Sequence, residues 1–140
     1  GAISHEPVVS TDLYATLLEM AGLGSSPARR CGVDSLSITA LLRDPAARLN
    51  RQDLYFHYPH YYSTTTPVSA IRSGPWKLLE FLEDNRVELY HLGKDTGEKE
   101  DLARRMPEQA AALRRRLHAW RESVGAQMPQ PNPAYGVSRR

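Results

Sequence analysis

Residues 57–62 read His-Tyr-Pro-His-Tyr-Tyr and so gather two histidines and three tyrosines around one proline. Aromatic rings stack on the faces of sugar rings, and imidazole and phenol groups donate hydrogen bonds to hydroxyl or sulfate oxygens. These residue types fit a sugar-binding surface. We therefore predict that His57, His60 and Tyr61 contact a substrate.

Two other interpretations of this segment remain open. The end of a strand whose Tyr55, Phe56 and Tyr58 pack in a core would use the same aromatic residues. A metal site on His57 and His60 is disfavoured, because the sequence offers no apparent third ligand.

Arg72 and Lys77 are further candidate contacts for an anion. A guanidinium forks onto an oxyanion and an ammonium acts as a point charge, so either could meet a sulfate group. We include Arg72 among the predicted substrate-binding residues. The alternation of a half-exposed strand would also account for both charges by placing them in solvent.

The acidic residues and the cysteine do not suggest a reaction centre. Four carboxylates lie close together in sequence: Asp95, Glu98, Glu100 and Asp101. A calcium site requires about six converging oxygen ligands, so a polar loop with a capping role is the better prediction for them. The one cysteine, Cys31, excludes an internal disulfide and is predicted to be a buried or loop-lining thiol.

Two helices are predicted before residue 50. The first covers residues 10–21, with Ser10 or Thr11 as its N-cap and Gly22 in the left-handed position after its end. Its helically spaced Leu13, Leu17 and Met20 are expected to face a core. A loop over residues 22–34 and a short helix over residues 37–43 follow.

Four strands and a long helix are predicted in the second half of the chain. The strands cover residues 53–58, 68–72, 76–82 and 86–92, and their short connections favour an antiparallel meander. The final helix covers residues 107–124 and begins at a proline, where a missing N–H costs nothing. Its expected apolar stripe consists of Ala110, Leu113, Leu117, Trp120 and Val124.

These elements predict an α+β fold, in which an antiparallel sheet of about four strands packs against the C-terminal helix and an N-terminal helix precedes both. Trp76 and Trp120 are expected in the core between sheet and helix, and His91 is expected to be structural. Residues 51–126 would form the α+β subdomain. Residues 127–140, which contain three prolines, would form an extended tail.

The composition is that of a folded protein, with 41% hydrophobic and 24% charged residues. No apolar run is long enough to cross a membrane, and no signal peptide is predicted. Six arginines crowd residues 104–121. Such a segment could attract nucleic acid, but no zinc pattern or DNA-reading motif supports that partner, and a solvated helix face is the simpler explanation.

Several motifs resemble the sulfatases, the sulfuric ester hydrolases of the alkaline phosphatase superfamily. Residues 7–18 (PVVSTDLYATLL) resemble the helix that closes the large N-terminal domain of that family, and residues 32–36 (GVDSL) resemble the loop before its short Leu-rich helix. Residues 70–78 (AIRSGPWKL) match the strand with a Gly-x-Trp-Lys segment. Residues 88–102 match its Glu-Leu-Tyr-x-Leu…Asp-Pro-x-Glu…Asn-Leu pattern, with Asp101 where Asn is usual.

The resemblance implies a C-terminal fragment of a sulfatase-like hydrolase that acts on sulfated carbohydrates. Residues 1–50 would then be the end of the catalytic domain, and the missing N-terminal domain would supply a formylglycine and one calcium or magnesium ion. Cys31 lacks the arginine four positions later that the formylglycine motif requires, so no catalytic or metal-binding residue is expected here. The resemblance also implies that residues 57–62 lean over the active-site mouth.

Other interpretations of the function of the whole chain remain open. It could be a stand-alone module that binds anionic glycans, or a fragment of a related phosphodiesterase or phosphonate hydrolase. Without a catalytic domain, the first helix would expose Leu17, Leu18 or Met20, and such an apolar face favours a homodimer. The sequence does not define a cellular compartment, and an isolated fragment is expected to be inactive.

Overall fold

The computed structural model describes residues 1–23 and 34–133 and divides the chain into two compact units, Gly1–Arg51 and Gln52–Arg140. Cys31, most of the predicted loop over residues 22–34, and the tail from residue 134 lie outside the described residues.

The first unit contains two helices, α1 (Asp12–Met20) and α2 (Thr39–Arg43). Thr11 occupies the N-cap of α1 but makes no side-chain hydrogen bond to the helix, so the predicted hydroxyl cap is wrong at that residue. Gly22 follows with φ +75°, which confirms the predicted left-handed position.

The prediction that Leu13, Leu17 and Met20 face a core is wrong within this chain, because their exposed fractions are 55%, 65% and 67%. The opposite side of α1 is buried instead, through Ala15 and Thr16. The apolar spacing therefore marks the outward side of the helix. The alternative expectation of an exposed apolar face is confirmed for Leu17 and Met20.

Asp12 holds the first unit together. Its carboxylate is 1% exposed and accepts hydrogen bonds from the backbone N–H groups of Val9 and Leu36 at 2.9 and 3.0 Å. The guanidinium of Arg51 adds a bidentate contact at 2.7 and 2.9 Å. Burial alone raises the pKa of Asp12, but these donors outweigh it and hold the pKa at about 2, below the ordinary 3.8.

The second unit is a four-stranded antiparallel sheet with one helix across it. The strands are β1 (Asp53–Tyr58), β2 (Val68–Ser73), β3 (Trp76–Phe81) and β4 (Val87–His91), paired in the order β1-β2-β3-β4. The helix α3 covers Pro107–Ser123. This arrangement confirms the predicted α+β fold and the meander.

The core lies between one face of the sheet and α3. Its buried members are Ile71, Leu78, Leu89, Ala110, Leu113 and Leu117. Trp76 and Trp120 pack against it as predicted, and the Trp120 ring stacks on Tyr55 with centroids 4.9 Å apart. Burial of each large aliphatic side chain contributes roughly 2 kcal/mol before the entropy cost.

The apolar stripe of α3 is confirmed up to Trp120 but not at Val124, which is 51% exposed. The helix ends at Ser123, and Gly125 then turns the chain with φ +60°. Val124 therefore lies past the last turn that faces the sheet. Among the described residues, no helix is long and apolar enough to span a bilayer.

Candidate functional site

The strand register assigns two of the predicted contact residues, His57 and Arg72, to opposite faces of the sheet. His57 pairs with Ser69, and Ser69 pairs with Glu80, so these three side chains share the face that α3 covers. Leu54 pairs with Arg72, and Arg72 pairs with Lys77, so these three share the opposite face. The register therefore separates His57 from Arg72.

Both ring nitrogens of His57 have partners within the chain. Nδ1 lies 2.8 Å from Ser69 Oγ, and Nε2 lies 2.7 Å from the backbone carbonyl oxygen of Gln127. A carbonyl only accepts, so Nε2 carries the proton, and Nδ1 can accept the hydroxyl proton of Ser69. Arg121 in turn donates to Ser69 Oγ at 3.3 Å. His57 thus joins the end of β1 to the segment that follows α3.

His60 and Tyr61 lie beyond β1 among further exposed aromatic rings. The ring of Tyr58 meets His60 edge-on at 5.6 Å and Tyr62 edge-on at 6.5 Å. Tyr58, Tyr61 and Tyr62 are 43%, 68% and 66% exposed. We call Tyr58, His60, Tyr61 and Tyr62 the aromatic end. Its tyrosine rings are accessible to solvent, which is what stacking on a sugar requires.

The turn between β3 and β4 borders the aromatic end. The hydroxyl of Tyr61 donates to Glu83 Oε1 at 3.2 Å, which links the two loops at this edge of the sheet. The backbone N–H of Leu82 also donates to the carbonyl oxygen of Pro67 at 2.8 Å. Sequence reasoning did not single out Glu83, because only the pairing of β1 with β2 and of β2 with β3 brings that turn beside residues 57–62.

Arg72 occupies a different environment. Its side chain is half-buried, and its Nε atom is buried without a hydrogen-bond partner among the described residues. The neighbouring Lys77 is paired, since its Nζ donates to both carboxylate oxygens of Glu98 at 2.7 Å. The structure therefore brings His60 and Tyr61 together and leaves His57 and Arg72 at separate places.

Glu80 is a buried carboxylate that sequence reasoning missed. It is 1% exposed. Its carboxylate oxygens lie 2.6 Å from a nitrogen of Arg114, 2.9 Å from Nε2 of His118 and 2.8 Å from a nitrogen of Arg121, all on α3. Burial raises its pKa, but the bonds from His118 and Arg114 prevail and lower the pKa below its ordinary value. The i, i+4, i+7 spacing of the three basic residues was the available signal.

Three arginines of the arginine-rich helix form ion pairs with carboxylates of the sheet. Arg116 pairs with Asp53, and Arg114 and Arg121 pair with Glu80. The interpretation of this segment as a solvated face is therefore wrong for Arg121, which is only 10% exposed, whereas Arg114 and Arg116 are paired with strand residues but stay partly exposed. A shallow cavity of about 260 Å³ lies beside them, lined by His118, Arg121, Glu122, Gly125, Ala126 and Met128.

The acidic loop has the predicted capping role. Asp95 Oδ2 accepts from the backbone N–H groups of Lys99 and Glu100 at 2.7 and 2.9 Å. Asp101 Oδ1 accepts from Leu89 and Ala103 at 3.0 and 2.9 Å. Within residues 1–23 and 34–133, no three His, Cys, Asp or Glu residues are placed to hold a metal ion.

The sequence was compared with known families and proteins. Residues 1–123 match the family described as N-sulphoglucosamine sulphohydrolase, C-terminal. A sulfatase of Formosa agariphila is 31% identical over 127 residues, which are 82% of this chain and 23% of that protein. The delta 4,5-hexuronate-2-O-sulfatase of Bacteroides thetaiotaomicron is 32% identical over 94 residues, which are 66% of this chain and 19% of that protein.

Solved structures share the fold. A 2-O GAG sulfatase superimposes with a TM-score of 0.66 at 24% identity, covering 82% of this chain and 25% of that one. A protein solved with its substrate D-glucosamine-2-N,6-O-disulfate superimposes with a TM-score of 0.63 at 20% identity, covering 84% of this chain and 24% of that one. The chain thus spans about a quarter of the length of each of these two proteins.

Proposed function

Because the chain belongs to the family of N-sulphoglucosamine sulphohydrolase C-terminal domains, we propose that it is the C-terminal part of a larger carbohydrate sulfatase and forms the sugar-contacting wall of its substrate cleft. The observation that carries this proposal is the aromatic end, where three exposed tyrosines and a histidine project from one edge of the sheet.

The aromatic end suits a sulfated sugar in two ways. The exposed rings of Tyr58, Tyr61 and Tyr62 offer stacking surfaces, and His60 offers a donor to hydroxyl or sulfate oxygens. One related structure contains a disulfated glucosamine, and one related enzyme is a hexuronate 2-O-sulfatase. We extend that substrate class, sulfated sugars of glycosaminoglycan type, to this protein.

His57 has a supporting part in this proposal. Its two hydrogen bonds, to Ser69 and to the carbonyl of Gln127, hold the end of β1 from which His60 and Tyr61 extend. The ring positions the contact residues without requiring a free nitrogen for the sugar. Arg72 lies on the other face of the sheet and is considered separately below.

The reaction itself would be performed by residues outside this chain. The described residues hold no metal-binding cluster, and the proteins compared above are about four times as long. We propose that the remaining part supplies the formylglycine nucleophile and one divalent cation, calcium or magnesium. The chain would shape the cleft and bind the sugar.

The exposed face of α1 supports a larger assembly. Leu13, Leu17 and Met20 form one apolar side of the helix, with more than half of each side chain exposed. An apolar helix face of this kind is a contact surface in a soluble protein. We propose that the catalytic part covers it, and that an isolated chain would instead pair with a second copy.

Steady-state kinetics of the complete polypeptide test the proposal. The substrates are glucosamine 6-sulfate and an aryl sulfate without a sugar, and the variants are His60→Ala and Tyr62→Ala. We expect the KM for the sugar sulfate to rise about 3- to 10-fold, as for the loss of one net hydrogen bond or ring contact. Hydrolysis of the aryl sulfate should be unchanged.

His5→Ala is the matched control, since His5 is also exposed but lies outside the aromatic end. Equal effects of His60→Ala on both substrates would contradict a sugar-contacting role. Binding of sulfated glycan by a chain that has no catalytic part upstream would favour the stand-alone glycan-binding module. Hydrolysis of phosphodiesters or phosphonates instead of sulfate esters would favour the related hydrolases.

A further inference from the structure

Arg72 differs from three other arginines of the described residues that are partly or largely buried. Arg51 pairs with Asp12, Arg116 with Asp53, and Arg121 with Glu80. The guanidinium of Arg72 has no hydrogen bond or ion pair with any described residue, although its Nε atom is completely buried.

A partnerless guanidinium in this position is costly. The buried donor is the Nε–H group, and because arginine does not deprotonate in proteins this donor stays in place. A buried donor without an acceptor loses its hydration and gains nothing in return. The cross-strand neighbours do not help, because Leu54 is apolar and Lys77 already engages both carboxylate oxygens of Glu98.

The residues that share a face of the sheet with Arg72 form an apolar surface. Leu54, Phe56 and Ala70 lie on the same face of β1 and β2, opposite α3, and Phe56 is 50% exposed. An apolar surface around one half-buried cation is complementary to an apolar surface that carries one carboxylate. Lys77 on this face is paired with Glu98, whereas Arg72 has no counter-charge among the described residues.

We infer that Arg72 forms an ion pair with an Asp or Glu in the part of the sulfatase outside this chain, and that this face of the sheet docks against that part. The inference rests on the proposed function for the existence of that part. The relatives extend far beyond the matched region, which spans 23% and 19% of their lengths. A permanent contact would satisfy Arg72 in every molecule, whereas a substrate would do so only while bound.

The position of Arg72 also disfavours a substrate sulfate. Arg72 lies four positions along β2 from Val68, which pairs with Tyr58 at the aromatic end. At roughly 3.3 Å per residue, that separation is about 13 Å along the strand. A single monosaccharide held by His60 and Tyr61 would not reach it.

Thermal unfolding and kinetics of the complete polypeptide test the inference, with R72A compared with R115A. Arg115 is an exposed arginine of α3 and serves as the matched control. We expect R72A to lower the Tm by at least about 2–4 °C, and R115A to leave it within about 1 °C. The KM for glucosamine 6-sulfate should stay within twofold of the wild-type value in R72A.

Zero-length cross-linking locates the partner. In R72K, a carbodiimide should join the introduced amine to an Asp or Glu upstream of Gly1, as read by mass spectrometry. An unchanged Tm, a raised KM with unchanged Tm, or a fall in Tm without an upstream cross-link would each overturn the inference. A cross-link to a carboxylate of this chain or of a second, isotope-labelled copy would do the same.

The proposed function can fail separately from this inference. If the polypeptide hydrolyses no sulfate ester but R72A lowers its Tm and R72K cross-links upstream, the docking contact stands and the assigned reaction is wrong. If hydrolysis is normal and neither effect is found, only the role of Arg72 is wrong.

Discussion

The Nε2 atom of His57 lies 2.7 Å from the carbonyl oxygen of Gln127, a residue 70 positions later in the chain. The contact joins the end of β1 to the segment that leaves α3. With the bond to Ser69, it fixes the ring on both sides. His57, which the sequence suggests as a ligand-binding residue, therefore also connects the end of β1 to the segment after α3.

Replacement of His57 by alanine should remove this connection between β1 and the segment after α3. Two hydrogen bonds are lost, so we expect the free energy of unfolding to fall by about 1–3 kcal/mol. Amide hydrogen exchange at residues 126–128 should become faster than in the wild type. His60→Ala is the control, and should stay within about 0.5 kcal/mol because His60 is exposed. Equal effects of the two variants would show that His57 does not act through Gln127.

The loop after β4 should tolerate asparagine at position 101 but not alanine. Both hydrogen bonds of Asp101, from Leu89 and Ala103, end on Oδ1, which an asparagine amide oxygen can replace. We expect Asp101→Asn to leave the urea midpoint nearly unchanged. Asp101→Ala should lower stability by about 1–3 kcal/mol, since the N–H of Leu89 loses its acceptor. A large loss in Asp101→Asn would mean that the negative charge itself is needed.

The carboxylate of Glu80 should be essential to the contact between α3 and the sheet. Glu80→Gln leaves Arg114 and Arg121 without a counter-charge, and Arg121 is only 10% exposed. Removal of one partner from a buried ion pair costs about 3–5 kcal/mol, so guanidinium chloride unfolding should show a loss of that order. Glu122→Gln, on the exposed side of the same helix, is the control and should change little.

Acid should weaken the first unit through Asp12. The pKa of Asp12 is about 2 in the folded protein and 3.8 ordinarily, so the unfolded chain binds the proton more readily. The stabilisation is therefore fully present above about pH 4 and is lost as the pH falls toward 2. The difference corresponds to roughly 2 kcal/mol. Circular dichroism of wild type and Asp12→Asn between pH 5 and pH 2 measures it, and an identical pH dependence in both would contradict this assignment.

The sequence by itself determined the sheet and the last helix. Alternating residues and short turns predicted all four strands and their order, because neighbours in a meander are set by local connections. The core residues Leu113 and Leu117 followed from helical spacing, and the left-handed conformation of Gly22 followed from its place after the first helix. The capping role of Asp95 and Asp101 was also a local property, since their hydrogen bonds span few residues.

Only the tertiary structure decided how these elements use their polar and outward residues. Helical spacing marks an apolar side of α1 but does not say what covers it, so Leu13, Leu17 and Met20 were assigned to a core within this chain. Glu80 meets Arg114, and His57 meets Gln127, over 34 and 70 positions. Such pairs depend on how α3 crosses the sheet, a consequence of packing that no local pattern encodes. The pairing of β1 with β2 likewise put His57 and Arg72 on opposite faces of the sheet.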